Sequence, residues 1–274
     1  MRIAAKISKY TSIILICSLS LIPFYILLVL SLNRPGRIHS EGNIFMPDFY
    51  LQNYIDGWQK SHIGSAIINS AVITFLALFI IITFGSMAAY TIARFNNKVN
   101  KAIFWMFLCS MMIPGIINTV PLYTLMIRLN AINTLWGMAL VCAANALPFT
   151  VFIFTGFIRS LPREIDEAAI IDGCSLFTTF WLINFPLLKP AMAAVVIING
   201  FGIWNNYAQA VFFLQERSKH NIPQALSVYF QQFAGAKWHL MAATAVIAVI
   251  PVVGAFLVFQ KSLMKGLTDG ALKG

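Results

Sequence analysis

Four carboxylates, Glu164, Asp166, Glu167 and Asp172, stand close together in the stretch LPREIDEAAIIDGCSLFTTFWLINFPLLKP, residues 161–190. Carboxylates serve as general acids and bases, hold metals, or meet basic partners. These are not set out as a catalytic pair, and the chain has no H-E-x-x-H or G-x-S-x-G motif to suggest hydrolysis. No G-x-x-x-x-G-K-[ST] occurs, so no phosphate-cradling loop is present. The four cysteines, Cys17, Cys109, Cys142 and Cys174, show no C-x-x-C spacing. Three lie in apolar runs, where cysteine acts as a small hydrophobe, so neither a disulfide framework nor a metal site is expected. Contact with a protein partner remains as the use of the acids.

The surrounding residues predict a helical hairpin over about 162–185. Pro162 suits a first helical turn, where its missing N–H is not needed. Glu164, Asp166 and Glu167 follow in that turn, where carboxylates favour the positive end of the helix dipole. Ala168 to Ile171 continue the helix, and Gly173 takes the left-handed conformation that ends it. Ser175 caps a second short helix over Leu176 to Ile183, and Pro186 lets the next begin in a new direction. A helix that merely lay on lipid would carry Lys and Arg on its polar face. Anionic lipid would repel this one.

The elements around the hairpin are membrane spans. The chain has 274 residues, of which 59% are hydrophobic and only 10% charged. A soluble domain carries about 25% charged residues. Windows with almost no charge place six spans near 11–32, 65–90, 103–126, 134–158, 186–208 and 240–260, each close to the ~20 residues that cross about 30 Å of hydrocarbon. The first is too long for a signal-peptide core and lacks an A-x-A cleavage site, so it is read as an uncleaved span. Twelve of the 19 Lys and Arg residues fall in the N-terminus, 91–102, 159–185 with Lys189, and the C-terminal tail. The positive-inside rule makes that side cytoplasmic, with both termini inside. The hairpin is then cytoplasmic, and 33–64 and 209–239 lie outside. The net charge of +10 reflects this pattern and calls for no nucleic acid.

No Asp, Glu, Lys or Arg lies at the centre of a span. Proton-coupled carriers need such relay groups, although a sodium site built of carbonyls would escape this test. His62 and His239 lie near span ends, His39 and His220 in outer loops. The polar residues that do fall in or beside spans are amides: Asn118, Asn145, Asn199, Asn205 and Asn206, with Trp204 and Tyr207 near the last two. Amides beside aromatics suit sugar hydroxyls and the apolar faces of sugar rings. Membrane asparagines more commonly bond helix to helix, and Trp and Tyr also populate interfacial belts. Both uses remain open.

The stretch resembles the EAA loop of ABC importer permeases, E-A-A-x3-G-x9-I-x-L-P. Glu167, Ala168, Ala169, Gly173, Ile183 and Pro186 stand at the matching places, with Phe185 in place of the usual leucine. FYLQNYIDGW, INSAVIT, AAYTIARF, MIPGIINTVPLY and the C-terminal KGLTDGALKG extend the likeness over nearly the whole chain, to the smaller permease of the maltose-transporter type.

The resemblance implies an all-α, six-span fold of the type I ABC importer permease class, with a cytoplasmic coupling helix. It implies that Glu164, Glu167, Ala168, Ala169, Asp172 and Gly173 form the surface that docks a cytoplasmic ATPase. Gly266, Thr268, Gly270 and Lys273 of the tail would reach the same ATPase. The partners implied are a second related permease, two ABC ATPase subunits that bind the ATP and Mg, and an extracellular or periplasmic sugar-binding protein met by the outer loop 209–239. No cofactor is expected on this chain. The implied cargo is a sugar or oligosaccharide crossing a bacterial or archaeal cell membrane. An ion-coupled secondary transporter, a membrane-embedded enzyme and an importer of glycerol phosphate are the alternatives. Empty span centres, the absence of a catalytic constellation and the lack of Arg or Lys along the path weigh against each in turn.

Overall fold

The computed structural model describes residues 2–36, 46–230 and 237–271, with backbone alone for 2–8, 255, 258, 259 and 261–271. The described residues are helices and connecting turns, in two compact units, 1–64 with 225–253 and 65–224 with 254–274.

The first unit is built on α1 (Arg2–Leu32) and α2 (Gln52–Ser61). Most of α1 turns apolar side chains outward, from Ile13 to Tyr25. Lipid suits such a surface, because every backbone group is satisfied inside the helix. The last carbonyls of a helix have no intrahelical partner. Here the buried Asn53 amide donates to Ser31 O at 2.9 Å and Asn33 O at 2.8 Å. The start of the last helix, α12 (Trp238–Ala271), packs where α2 carries Gly57. A Cβ on Gly57 would lie 2.7 Å from Thr244 Oγ1, and Tyr229 Oη donates to Gly57 O at 3.2 Å.

The second unit contains most of α3 (Ile63–Arg94), then α4 (Lys98–Ser110), α5 (Thr119–Arg128) and α6 (Leu135–Ser160). After these come α7 (Glu164–Ile171), α8 (Leu176–Leu187), α9 (Lys189–Trp204), α10 (Ala210–Phe213), a 3-10 turn (Arg217–Lys219) and α11 (Ile222–Ser227). Its core joins Ile73, Ala77 and Ile81 of α3 to Met138, Val141, Phe154 and Ile158 of α6 and to Val195 of α9. Thr134 caps α6 by accepting the Gly137 N–H at 3.1 Å. Asn97 caps α4 in the same way, accepting from Asn100 N at 2.7 Å.

Several expected spans take a different form. The helices Lys9–Leu32, Ile63–Arg94 and Leu135–Ser160 are each long and apolar enough to cross a membrane. The run at 103–126 is instead two helices, α4 and α5, parted by turns over 111–118. Pro114 has no N–H to give and its ring crowds the preceding turn, with flexible Gly115 beside it. The expected span at 186–208 begins earlier, in α8, bends by 70° into α9, and stops at Trp204. Pro186 and Pro190 flank that bend. The sixth apolar stretch is the first part of α12, Trp238–Gly254.

The expected outer loop 209–239 is largely ordered helix and turn, with 231–236 outside the described residues. It includes the short helix α11. Asn69 of α3 donates to Ser218 O at 3.0 Å and His220 O at 2.9 Å, and Ser70 Oγ accepts the Ile222 N–H at 3.0 Å. These bonds tie the segment to the N-terminal part of α3.

Candidate coupling surface and cargo cavity

The hairpin begins with α7, whose first turn holds Glu164, Asp166 and Glu167. Ala169 is buried on its inner side, while Glu164, Glu167, Ala168 and Asp172 are exposed. Gly173 has φ +83°. Its N–H bonds Ile170 O at 3.0 Å, and the Cys174 N–H bonds Ala169 O at 2.9 Å. These two bonds close a left-handed helix terminus that satisfies orphan carbonyls. Ser175 Oγ then accepts the Thr178 N–H at 3.1 Å and starts α8. The second helix expected over 176–183 continues as a π-helical stretch, Thr179–Asn184, in which the Phe185 N–H reaches back to Phe180 O. Ile170, Ile171, Leu176 and Phe177 expose apolar surface around the exposed acids. Short helix, acids and apolar rim together suit a protein partner.

Asp166 belongs to the interior. Its Oδ1 accepts from Tyr90 Oη at 2.9 Å and from Asn184 Nδ2 at 2.7 Å, and its Oδ2 lies 2.8 Å from Arg94 Nη2. Arg94 Nη1 also donates to Leu161 O at 3.1 Å, just before α7. The Tyr90 ring packs on Phe180, with centroids 5.3 Å apart. Sequence reasoning placed Asp166 among the dipole-favouring acids and did not single out Tyr90, Arg94 or Asn184.

The break between α4 and α5 opens a cavity of about 480 Å³. Ser110, Met111, Gly115 and Asn118 line it from the break, Asn145 and Phe149 from α6, and Asn206 and Gln209 from the turn after α9. A smaller cavity of about 210 Å³ shares Asn145, Asn206 and Gln209 and adds Asn199 and Gly202. Neither has a charged residue in its lining. Asn206 Nδ2 donates to Gln209 Oε1 at 2.9 Å, and Asn206 Oδ1 accepts the Gln209 N–H at 3.1 Å. The bare Cα of Gly115 leaves room between Asn145 Oδ1 and Gln209 Nε2, which lie 3.7 and 3.9 Å from its Cβ position.

Of the candidate cargo-path residues Asn118, Asn145, Asn199, Trp204, Asn205 and Asn206, four, Asn118, Asn145, Asn199 and Asn206, line these cavities. Asn199 also bonds across helices, Nδ2 to Thr150 Oγ1 at 3.2 Å. Trp204 and Asn205 do not line them. Trp204 ends α9, and Asn205 is its cap residue, with Nδ2 turned back to Phe201 O at 2.9 Å. The paired amides thus sit at a helix end, not within a span. Gln209 was missed, although it follows Asn206 by three residues, close enough for the side chains to meet. In the tail, Gly266, Thr268 and Gly270 fall within α12, and Lys273 lies outside the described residues. Among the described residues no group of His, Cys, Asp and Glu is placed to hold a metal.

Apolar helices, a polar hairpin with an exposed acidic edge and an uncharged cavity define a multi-pass membrane permease. The chain belongs to the family described as binding-protein-dependent transport system inner membrane component, whose model matches residues 81–268. It is 41% identical over 254 residues to the melibiose/raffinose/stachyose import permease protein MelC of Bacillus subtilis, covering 92% of this chain and 91% of that protein. It is 31% identical over 255 residues to the diacetylchitobiose uptake system permease protein NgcG of Streptomyces coelicolor, covering 92% of this chain and 84% of that one. A crystal structure of a bacterial ABC transporter involved in the import of the acidic polysaccharide alginate matches with a TM-score of 0.78. That match covers 93% of this chain and 96% of the other at 19% identity, a likeness of fold. The fold is that of a type I ABC importer permease, working with the other components of such a system, including a substrate-binding protein.

Proposed function

We propose that this chain is one of two membrane-spanning subunits of an ABC importer for a neutral sugar or oligosaccharide. It pairs with a second, related permease and docks two cytoplasmic ATPase subunits, which bind the ATP and Mg and carry out the hydrolysis. A binding protein delivers the cargo to the outer face, where the loop 209–239 meets it. Both termini are cytoplasmic, as the distribution of Lys and Arg favours. The path opens outward when ATP closes the ATPase dimer and inward after hydrolysis, by rigid-body movement passed through α7.

The observation that carries this reading is the hairpin, which offers Glu164, Glu167 and Asp172 on a short helix with a locked terminus. Ala168 and Ala169 keep the helix slim, and Gly173 sets its turn. Gly266, Thr268, Gly270 and Lys273 would add a second contact to the ATPase. Two relatives named for import or uptake of neutral oligosaccharides support the cargo class. So do Asn118, Asn145, Asn199 and Asn206, which present amides and no charge. An ion-coupled carrier is not favoured, because no titratable carboxylate or histidine lines either cavity. A phosphorylated cargo would call for Arg or Lys there.

The test is uptake by the reconstituted complex with its binding protein. ATP-dependent uptake of neutral oligosaccharides such as raffinose, without a sodium or proton gradient, is expected. Uptake that follows an ion gradient and ignores ATP would refute the reading.

A further inference from the structure

Resting on the coupling reading, we infer that Asp166 is a positioning residue that carries movement of the coupling helix into the membrane helices. The acids of α7 divide by burial. Glu164, Glu167 and Asp172 are exposed, whereas the Asp166 side chain is 12% exposed and that of Arg94 8%. A carboxylate facing the same partner as Glu167 would have no reason to be enclosed. It is enclosed here by two hydrogen-bond donors and one ion-pair partner from two other elements. Tyr90 and Arg94 come from the cytoplasmic end of α3, and Asn184 comes from the π-helical turn of α8.

Each donor sits where its local structure puts it. Tyr90 and Arg94 are four residues apart and so share one face of α3. The Tyr90 ring is held by Phe180, which fixes its hydroxyl toward α7. The wide turn places Asn184 at the carboxylate, and π-turns of this kind recur at functional sites. Buried ion pairs are seldom retained for stability alone, since apolar replacements are often as stable. What such a cluster adds is direction. A carboxylate held by two neutral hydrogen bonds on one oxygen and an ion pair on the other does not slide as an apolar contact can.

The consequence is mechanical. A push on α7 is delivered to the end of α3 through Arg94 and Tyr90. Through Asn184 it is delivered to α8, and across the 70° bend to α9, which carries Asn199 and Gly202 of the smaller cavity. Glu167 receives the ATPase, and Asp166 passes the movement on. The test separates transmission from docking and from folding.

The experiment uses the whole reconstituted importer with its binding protein. Asp166→Asn keeps the side-chain shape and removes the charge. Tyr90→Phe keeps the ring on Phe180 and removes only one donor, so it stays informative if the first variant folds poorly. The readouts are ATPase retained on purification, melting temperature, and ATP hydrolysed per sugar imported. Both variants should retain the ATPase. The ratio of ATP to sugar should rise about tenfold in Asp166→Asn and about threefold in Tyr90→Phe, with the melting temperature of the latter near wild type. Unchanged ratios in an intact complex would overturn this inference alone. Loss of the ATPase from both variants would overturn it too, by making Asp166 part of the docking surface. A wild-type complex that purifies with no ATPase would overturn the importer reading, and this inference with it.

Discussion

Asp166 and Glu167 are adjacent in sequence and differ in surroundings, Asp166 in a pocket of donors from α3 and α8 and Glu167 in solvent. Successive residues on a helix are about 100° apart. One turn can therefore bind a partner with one carboxylate and hold its own place with the next. That separation makes the hairpin a device with two sides, and it allows each side to be tested by itself.

Gly173 tests the shape of the hairpin. Its φ of +83° is left-handed, and among the described residues no atom beyond its chain neighbours lies within 4 Å of a Cβ built there, so conformation limits the side chain. A residue other than glycine costs about 1–2 kcal/mol in that conformation, and asparagine tolerates it better. Gly173→Val should lower ATP-driven uptake severalfold, and Gly173→Asn should retain most of it. Equal uptake in the two variants would contradict the turn's role.

The amide cavity predicts a graded loss of cargo recognition. A neutral hydrogen bond contributes about 0.5–1.5 kcal/mol, and 1.4 kcal/mol is about tenfold. Asn145→Leu and Gln209→Leu should each raise the half-saturating sugar concentration by about 3- to 10-fold, with the ATPase still bound. Gly115→Val should cut uptake further, because its side chain would enter the space between Asn145 and Gln209. Asn205→Leu, outside the cavity, serves as the control and should behave as wild type. Initial-rate uptake of labelled sugar reads all four.

Gly137 gives a prediction about stability. A Cβ there would lie only 2.1 Å from the backbone oxygen of Ala131. The turn before α6 must then open and weaken the Thr134 cap. Gly137→Ala should destabilise the assembled protein by about 1–3 kcal/mol, seen as a lower thermal midpoint in detergent. Gly156→Ala, with open space around it, should change little.

The segment around His220 should respond to acid. Burial, with Arg217 adding to it, lowers the pKa of His220 from its ordinary 6.5, against a backbone hydrogen bond at Gln215 that raises it. The folded segment then prefers neutral imidazole. Its stability is full above pH 6.5 and falls as pH drops through the lowered folded value. Hydrogen exchange over residues 215–224 should be faster at pH 5.5 than at pH 7.5, and His220→Asn should flatten that difference. Exchange that slows on acidification would contradict the sign.

Much of this was legible in the sequence, for reasons that can be located. Gly173, Ser175 and the early acids act within a few residues of themselves, so local rules place the hairpin turn and the second cap. Charge-free windows find the long helices α1, α3 and α6 because the membrane length rule is coarse and strong. The rest depends on distant partners. Nothing near Asp166 in the chain announces Tyr90 and Arg94, more than 70 residues away, and a dipole argument made the three first-turn acids look alike. The break at Pro114 was hidden because 103–126 is apolar enough to pass as one span. Asn205 and Asn206 were placed within a span because composition does not mark where α9 stops. Gln209 went unnoticed until the break put it opposite Asn145.

The most direct measurement is a tagged purification from native membranes in mild detergent, comparing wild type with Glu167→Lys. The account predicts that wild type brings down a P-loop ATPase and a second permease. Glu167→Lys should keep the second permease and lose the ATPase by at least about tenfold. A wild-type chain that purifies folded and alone would contradict the central claim, as would a variant that retains its ATPase in full.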